Sequence, residues 1–107
     1  MKLAAVSFIF VASILAYPMP QIDSLALKSQ QAKQLMAEGH FQQAISLYRE
    51  LNKAVPNNPG LKLNLGMALH LAGKKREAIP ELEQAVKLDP RMAPAWLFLG
   101  TTRLQLG

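Results

Sequence analysis

Residues 58–90 read NPGLKLNLGMALHLAGKKREAIPELEQAVKLDP, and the punctuation of this stretch decides the fold. Asn58 is a good N-cap, and Pro59 falls at the first helical position, where its missing N–H costs nothing. Leu61, Leu65, Ala68, Leu69 and Ala72 then recur at helical spacing up to Gly73, a residue able to take the left-handed conformation that ends a helix and opens a tight turn. Ala78, Ile79, Leu82, Ala85, Val86 and Leu88 give a second helix its apolar face, and Asp89-Pro90 stops it. Two antiparallel helices are predicted. Pro80 lies inside the second, in or near its first turns, and is predicted to be exposed and tolerated.

The same punctuation recurs on both sides at an interval of 34 residues. Gly39, Gly73 and Gly107 are related by it, as are Pro56 and Pro90, Ala44 and Ala78, Leu65 and Leu99, and Gly66 and Gly100. A fixed period of this size, met without gaps, predicts a helical hairpin repeated in space. Glycine inside a helix costs about 1 kcal/mol relative to alanine. The recurrence of Gly66 and Gly100 therefore predicts helix contacts too close for a side chain, with Ala78 and Ala85 facing that contact from the second helix.

Residues and spacing together resemble the tetratricopeptide repeat, whose 34-residue pattern runs W-x2-L-G-x2-Y and then alanine, a large residue, alanine and proline. The third unit has Trp96, Leu99 and Gly100, with Arg103 where tyrosine is usual. The second has Leu65, Gly66, Leu69, Ala78, Leu82, Ala85 and Pro90, and the first has Ala32, Leu35, Ala44, Tyr48, Leu51 and Pro56. Lys28 and Gln31 replace apolar residues at the start of the first unit. The resemblance implies an all-α, right-handed α-solenoid of antiparallel hairpins, about two and a half units long. These are residues 25–58, 59–92 and a truncated 93–107, with Gly107 standing where the hinge glycine of the third unit belongs.

Function follows from the resemblance as a binding scaffold, in which the first helices of successive units line a concave groove. The groove stripe is then Ala26, Ser29, Lys33 and Met36, followed by Leu63, Asn64, Met67 and His70, and by Leu97, Phe98, Thr101 and Leu104. This mostly apolar surface with a few polar handles suits an amphipathic helix or an extended peptide of another protein. Its methionines can repack around different ligands. Some domains of this family hold a peptide's terminal carboxylate with Lys, Asn and Arg. Only Asn64 matches that arrangement here, and Ser29, Pro94 and Phe98 stand where a basic residue is wanted.

The remaining chemistry is sparse. His40 and His70 are the only histidines, there is no cysteine, and the acidic residues show no clear acid/base pair, so neither a catalytic centre nor a metal or cofactor site is expected. The formal charge of +5 would favour nucleic acid if it were concentrated, but apart from Lys74, Lys75 and Arg76 the cations are scattered without interleaved aromatics. No nucleic acid is expected.

The two ends carry separate expectations. Lys2 followed by an apolar run from Leu3 to Leu15 and a small residue at Ala16 has the form of a secretory signal peptide over residues 1–16, with cleavage after Ala16 or Ser13. Export to the periplasm, the envelope or the medium is expected, with residues 17–24 as an irregular lead-in containing Pro18 and Pro20. At the other end, Trp96, Leu97, Leu99 and Leu104 belong to a helix without a partner on one side. Such an end predicts either continuation in a longer protein, as a scaffold or as an accessory module of an exported enzyme, or self-association through the uncapped helix.

Overall fold

The structure, a computed structural model, describes residues 21–107. The expected signal peptide and the prolines of the lead-in lie outside the described residues. Five α-helices follow: α1 Gln21–Ala37, α2 Phe41–Ala54, α3 Pro59–Leu71, α4 Lys75–Leu88 and α5 Ala93–Leu106. Each packs on its neighbour in sequence, and α3 also meets α5, so the first helices of the second and third units lie side by side. Of the irregular lead-in expected over residues 17–24, the described part, residues 21–24, is already helical.

The hairpin turns are built as the glycines require. Gly39 and Gly73 have φ of +80° and +83°, and the backbone closes over each with the same pair of bonds. Gly39 N–H donates to the Met36 carbonyl and His40 N–H to that of Leu35, at 3.1 and 2.8 Å. Gly73 to His70 and Lys74 to Leu69 repeat those distances one unit later. This is the double closure that satisfies the last carbonyls of a helix when a left-handed residue follows it. At the start of α3 the Asn58 side chain accepts from Leu61 N–H at 3.0 Å, with Pro59 in the first turn.

Buried side chains form one continuous core along the hairpins. Ile45, Tyr48, Leu69, Leu82 and Leu99 are its largest fully enclosed apolar members, each contributing about 1.5–3 kcal/mol by leaving water. Ala44, Ala78, Ala85 and Ala95 are completely covered and let the helices approach. The closest approach is at Gly66, where a Cβ atom would lie 2.6 Å from Cγ and Cδ2 of Leu82. Gly100 differs from the expectation: a Cβ there meets nothing within 4 Å, because no described helix stands over it as α4 stands over Gly66. Pro80 is exposed and lies within α4 rather than in its first turn, so the Arg76 carbonyl has no N–H to accept from at that position.

Candidate functional site

The candidate groove has two parts of different character. Between α1 and α3 lies an open hollow of about 450 Å³, with Ser29, Lys33 and Asn64 on its walls and Leu51 and Leu61 among its apolar lining. The sequence placed Ser29, Lys33 and Asn64 on one stripe, and the fold brings all three to this hollow. Lys33 is exposed and Asn64 is half-buried, so an ammonium and an amide are both available to a ligand beside apolar surface. Met36 and Leu63 are half-buried and pack against the core, which gives them a structural contact as well as their place on the stripe.

The second part lies between α3 and α5. His70, from the last turn of α3, reaches Thr102 on α5, with 2.8 Å between Nδ1 and Oγ1. Thr102 is fully buried, and its hydroxyl donates to the Phe98 carbonyl one turn earlier on α5. That hydroxyl has one proton, already committed, so its oxygen accepts and His70 Nδ1 must be the donor. The imidazole and the Phe98 ring also make a T-shaped contact, with centroids 5.7 Å apart and planes at 84°. Burial, and then the positive charge of Lys75, hold the His70 pKa below its usual 6.5, so the ring is neutral at pH 7.

Met67 and Thr101 are half-buried on the same pair of helices. Leu97 and Leu104 are 67% and 83% exposed, which makes them the most open large apolar side chains among the described residues. Trp96 is half-exposed and donates from Nε1 to the Pro90 carbonyl at 2.8 Å, fixing its indole against the preceding turn. Thr102 is the residue that sequence reasoning passed over. One interval earlier stands Ala68, which is also fully buried, so the repeat itself marked position 102 as interior.

Other polar groups near the groove are structural. Asn52 is buried between α2 and α3, donating to the Tyr48 carbonyl at 2.9 Å and to the Leu61 carbonyl at 3.4 Å. Lys62 and Glu81 form a largely covered ion pair at 3.6 Å within the second hairpin. His40 is exposed in the first hairpin turn, 3.6 Å from Glu38. Among the described residues no group of three or more His, Asp and Glu side chains is placed to hold a metal ion. No described helix is long and apolar enough to cross a membrane.

Comparison with known proteins agrees with this architecture. Two family profiles, both described as tetratricopeptide repeat, match residues 35–82 and 72–107. The heat-shock protein cognate co-chaperone sgt12 of Aspergillus fumigatus is 30% identical over 89 residues, 83% of this chain and 25% of the relative. The TPR repeat-containing thioredoxin TTL4 of Arabidopsis thaliana is 34% identical over 70 residues, 65% of this chain and 10% of the relative. The chain thus spans a quarter or less of these curated relatives.

Among solved structures, the Sgt2 TPR domain from Aspergillus fumigatus superposes with a TM-score of 0.71 at 31% identity, covering 83% of this chain and 57% of that one. The second TPR of Spaghetti (RPAP3), solved with the HSP90 peptide SRMEEVD, superposes with a TM-score of 0.73 at 29% identity, covering 78% and 77%. Hinge glycines, interlocked hairpins and these matches together show that the chain belongs to the tetratricopeptide repeat family, as a module for protein–protein interaction.

Proposed function

We propose that this protein works outside the cytoplasm as a scaffold that holds a segment of another protein in the groove lined by α1, α3 and α5. The observation that carries the reading is the hollow between α1 and α3, where Lys33, Ser29 and Asn64 stand over an apolar lining. The Spaghetti domain, solved bound to the HSP90 peptide SRMEEVD, supports peptide binding by a domain of this fold. In this chain Pro94, Leu97 and Phe98 give the α5 side an apolar character. The preferred segment is therefore one with apolar side chains and few charges rather than an acidic tail. Export is supported by Lys2 and the apolar run to Leu15, and sequencing the N-terminus of the mature protein tests it: a chain still starting at Met1 contradicts cleavage.

The groove is tested by replacing Met67 and Leu97 together with Asp. Both are partly or fully accessible, so the helical content and melting curve should stay close to those of the wild type. Binding of peptides selected from a display library should fall at least about tenfold, the effect of about 1.4 kcal/mol. Unchanged binding by a folded variant refutes the groove. A second reading, an accessory module joined to a catalytic domain, is favoured by one observation: the Arabidopsis relative is named a thioredoxin and matches this chain over a tenth of its length. The coding sequence beyond Gly107 separates the two, since further 34-residue units support the scaffold and a domain with catalytic motifs supports the module.

A further inference from the structure

The environment of His70 fixes which of its nitrogens is available to a ligand, and this deepens the groove reading above, on which it rests. Three constraints act together. The buried Thr102 hydroxyl spends its proton on the Phe98 carbonyl, so His70 Nδ1 carries the ring proton. The ring packs against Phe98 in a T-shaped contact, which together with the Thr102 bond favours one orientation. Among the described residues no carboxylate bonds to it; burial and then the charge of Lys75 on α4 favour the neutral imidazole, whose hydrogen-bonding partner is Thr102. What remains is a bare Nε2 lone pair with no hydrogen-bond partner among the described residues, on a half-buried side chain of the groove stripe.

We infer that His70 is a specificity-determining acceptor whose Nε2 takes a hydrogen bond from a neutral donor, a hydroxyl or an amide N–H, on the segment bound in the groove. A carboxylate would set acceptor against acceptor there, and an ammonium or guanidinium would meet the field of Lys75. Thr102 is a positioning residue: it touches no ligand and acts by holding the tautomer. Nε2 is open to water in the free protein; once a bound segment covers it, an unpaired acceptor is costly, so a ligand lacking the donor is disfavoured rather than merely not favoured.

The test uses the full chain and a display library of short peptides blocked at both ends. Nitrogen-15 spectra of the free protein should give His70 a protonated Nδ1 and a pyridine-like Nε2. The wild type should then enrich Ser, Thr, Asn or Gln at one register. His70→Phe, which keeps the aromatic contact and removes the acceptor, should lose that preference and bind the selected peptide about threefold to tenfold more weakly. It should bind the same peptide with Ala at that register as well as the wild type does. Thr102→Val should weaken the selected peptide by a smaller factor and show mixed tautomers. An Nε2-protonated ring, or the same enriched residues in His70→Phe, overturns the inference while leaving the groove in place. Peptides bound by the wild type without that preference also overturn the inference alone, whereas selection of no peptide at all overturns the groove reading and this inference with it.

Discussion

A methyl group added at Gly66 would lie 2.6 Å from two atoms of Leu82, whereas one added at Gly100 meets nothing within 4 Å. The two positions are equivalent in the repeat, so the same substitution should act in opposite directions. Gly66→Ala gains about 1 kcal/mol of helix propensity but forces the fully buried Leu82 to shift, an overpacking cost of about 1–3 kcal/mol, for a net loss on the order of 1 kcal/mol. Gly100→Ala gains the propensity alone and should stabilise by up to about 1 kcal/mol. For a domain of this size 1 kcal/mol moves the melting temperature by roughly 4–8 °C, so thermal unfolding of the two variants should bracket the wild type. A lower melting temperature for both would mean that Gly100 is as crowded as Gly66. The sequence shows that a glycine recurs; it does not show whether the neighbour that makes it necessary is present at each recurrence.

At the scale of the helix pair, the junction of α2 with α3 contains a side chain that the hydrophobic pattern does not explain. Asn52 is buried with its Oδ1 unpartnered, while its Nδ2 bonds two carbonyls. One interval later the position is Val86, also buried, so the fold accepts a branched apolar side chain at this place. Asn52→Val removes an unsatisfied buried acceptor, whose presence costs about 1–3 kcal/mol, and gives up two bonds to carbonyls that sit in helices. The expected outcome is a variant more stable than the wild type by about 1 kcal/mol in urea unfolding with an unchanged slope. A loss of stability would show that the two Nδ2 bonds outweigh the unpaired Oδ1. Helix ends were legible because Asn58-Pro59, Gly73 and Asp89-Pro90 act through their own backbones. Asn52 and Thr102 were not, because a polar residue reads as exposed until its partners in another helix are known. That Ser29, Lys33 and Asn64 share a surface was legible through the family resemblance and the helical period. The coupling of His70 to Thr102 was beyond it, since it depends on a contact between two units.

Across the described helices stability is a sum of hairpins and of the interfaces between neighbours, because none of them touches more than its local surroundings. The second hairpin is flanked on both sides among the described helices: α3 and α4 share the most extensive contact, α3 also packs on α2, and both pack on α5. By contrast α5 rests on α4 and α3 by a face of Ala95, Leu99 and Thr102 and leaves Trp96, Leu97, Gly100 and Leu104 outside. In a linear array the unit with fewer interfaces opens at lower free energy, and its amides exchange through local opening rather than global unfolding. Hydrogen exchange on the full chain should therefore find the slowest amides in α3 and α4, around Leu69 and Leu82, and faster exchange throughout α5. Thr102→Val should accelerate α5 further and leave α4 nearly unchanged, because the bond from His70 is one of the ties between α3 and α5. Equal protection in α4 and α5 would contradict the additive picture and mean that the described helices unfold as one cooperative unit. The groove would then be a rigid surface. If α5 does open separately, the wall carrying Leu97 and Phe98 can adjust to a bound segment while the wall carrying Asn64 stays fixed, and ligand binding should slow exchange in α5 most.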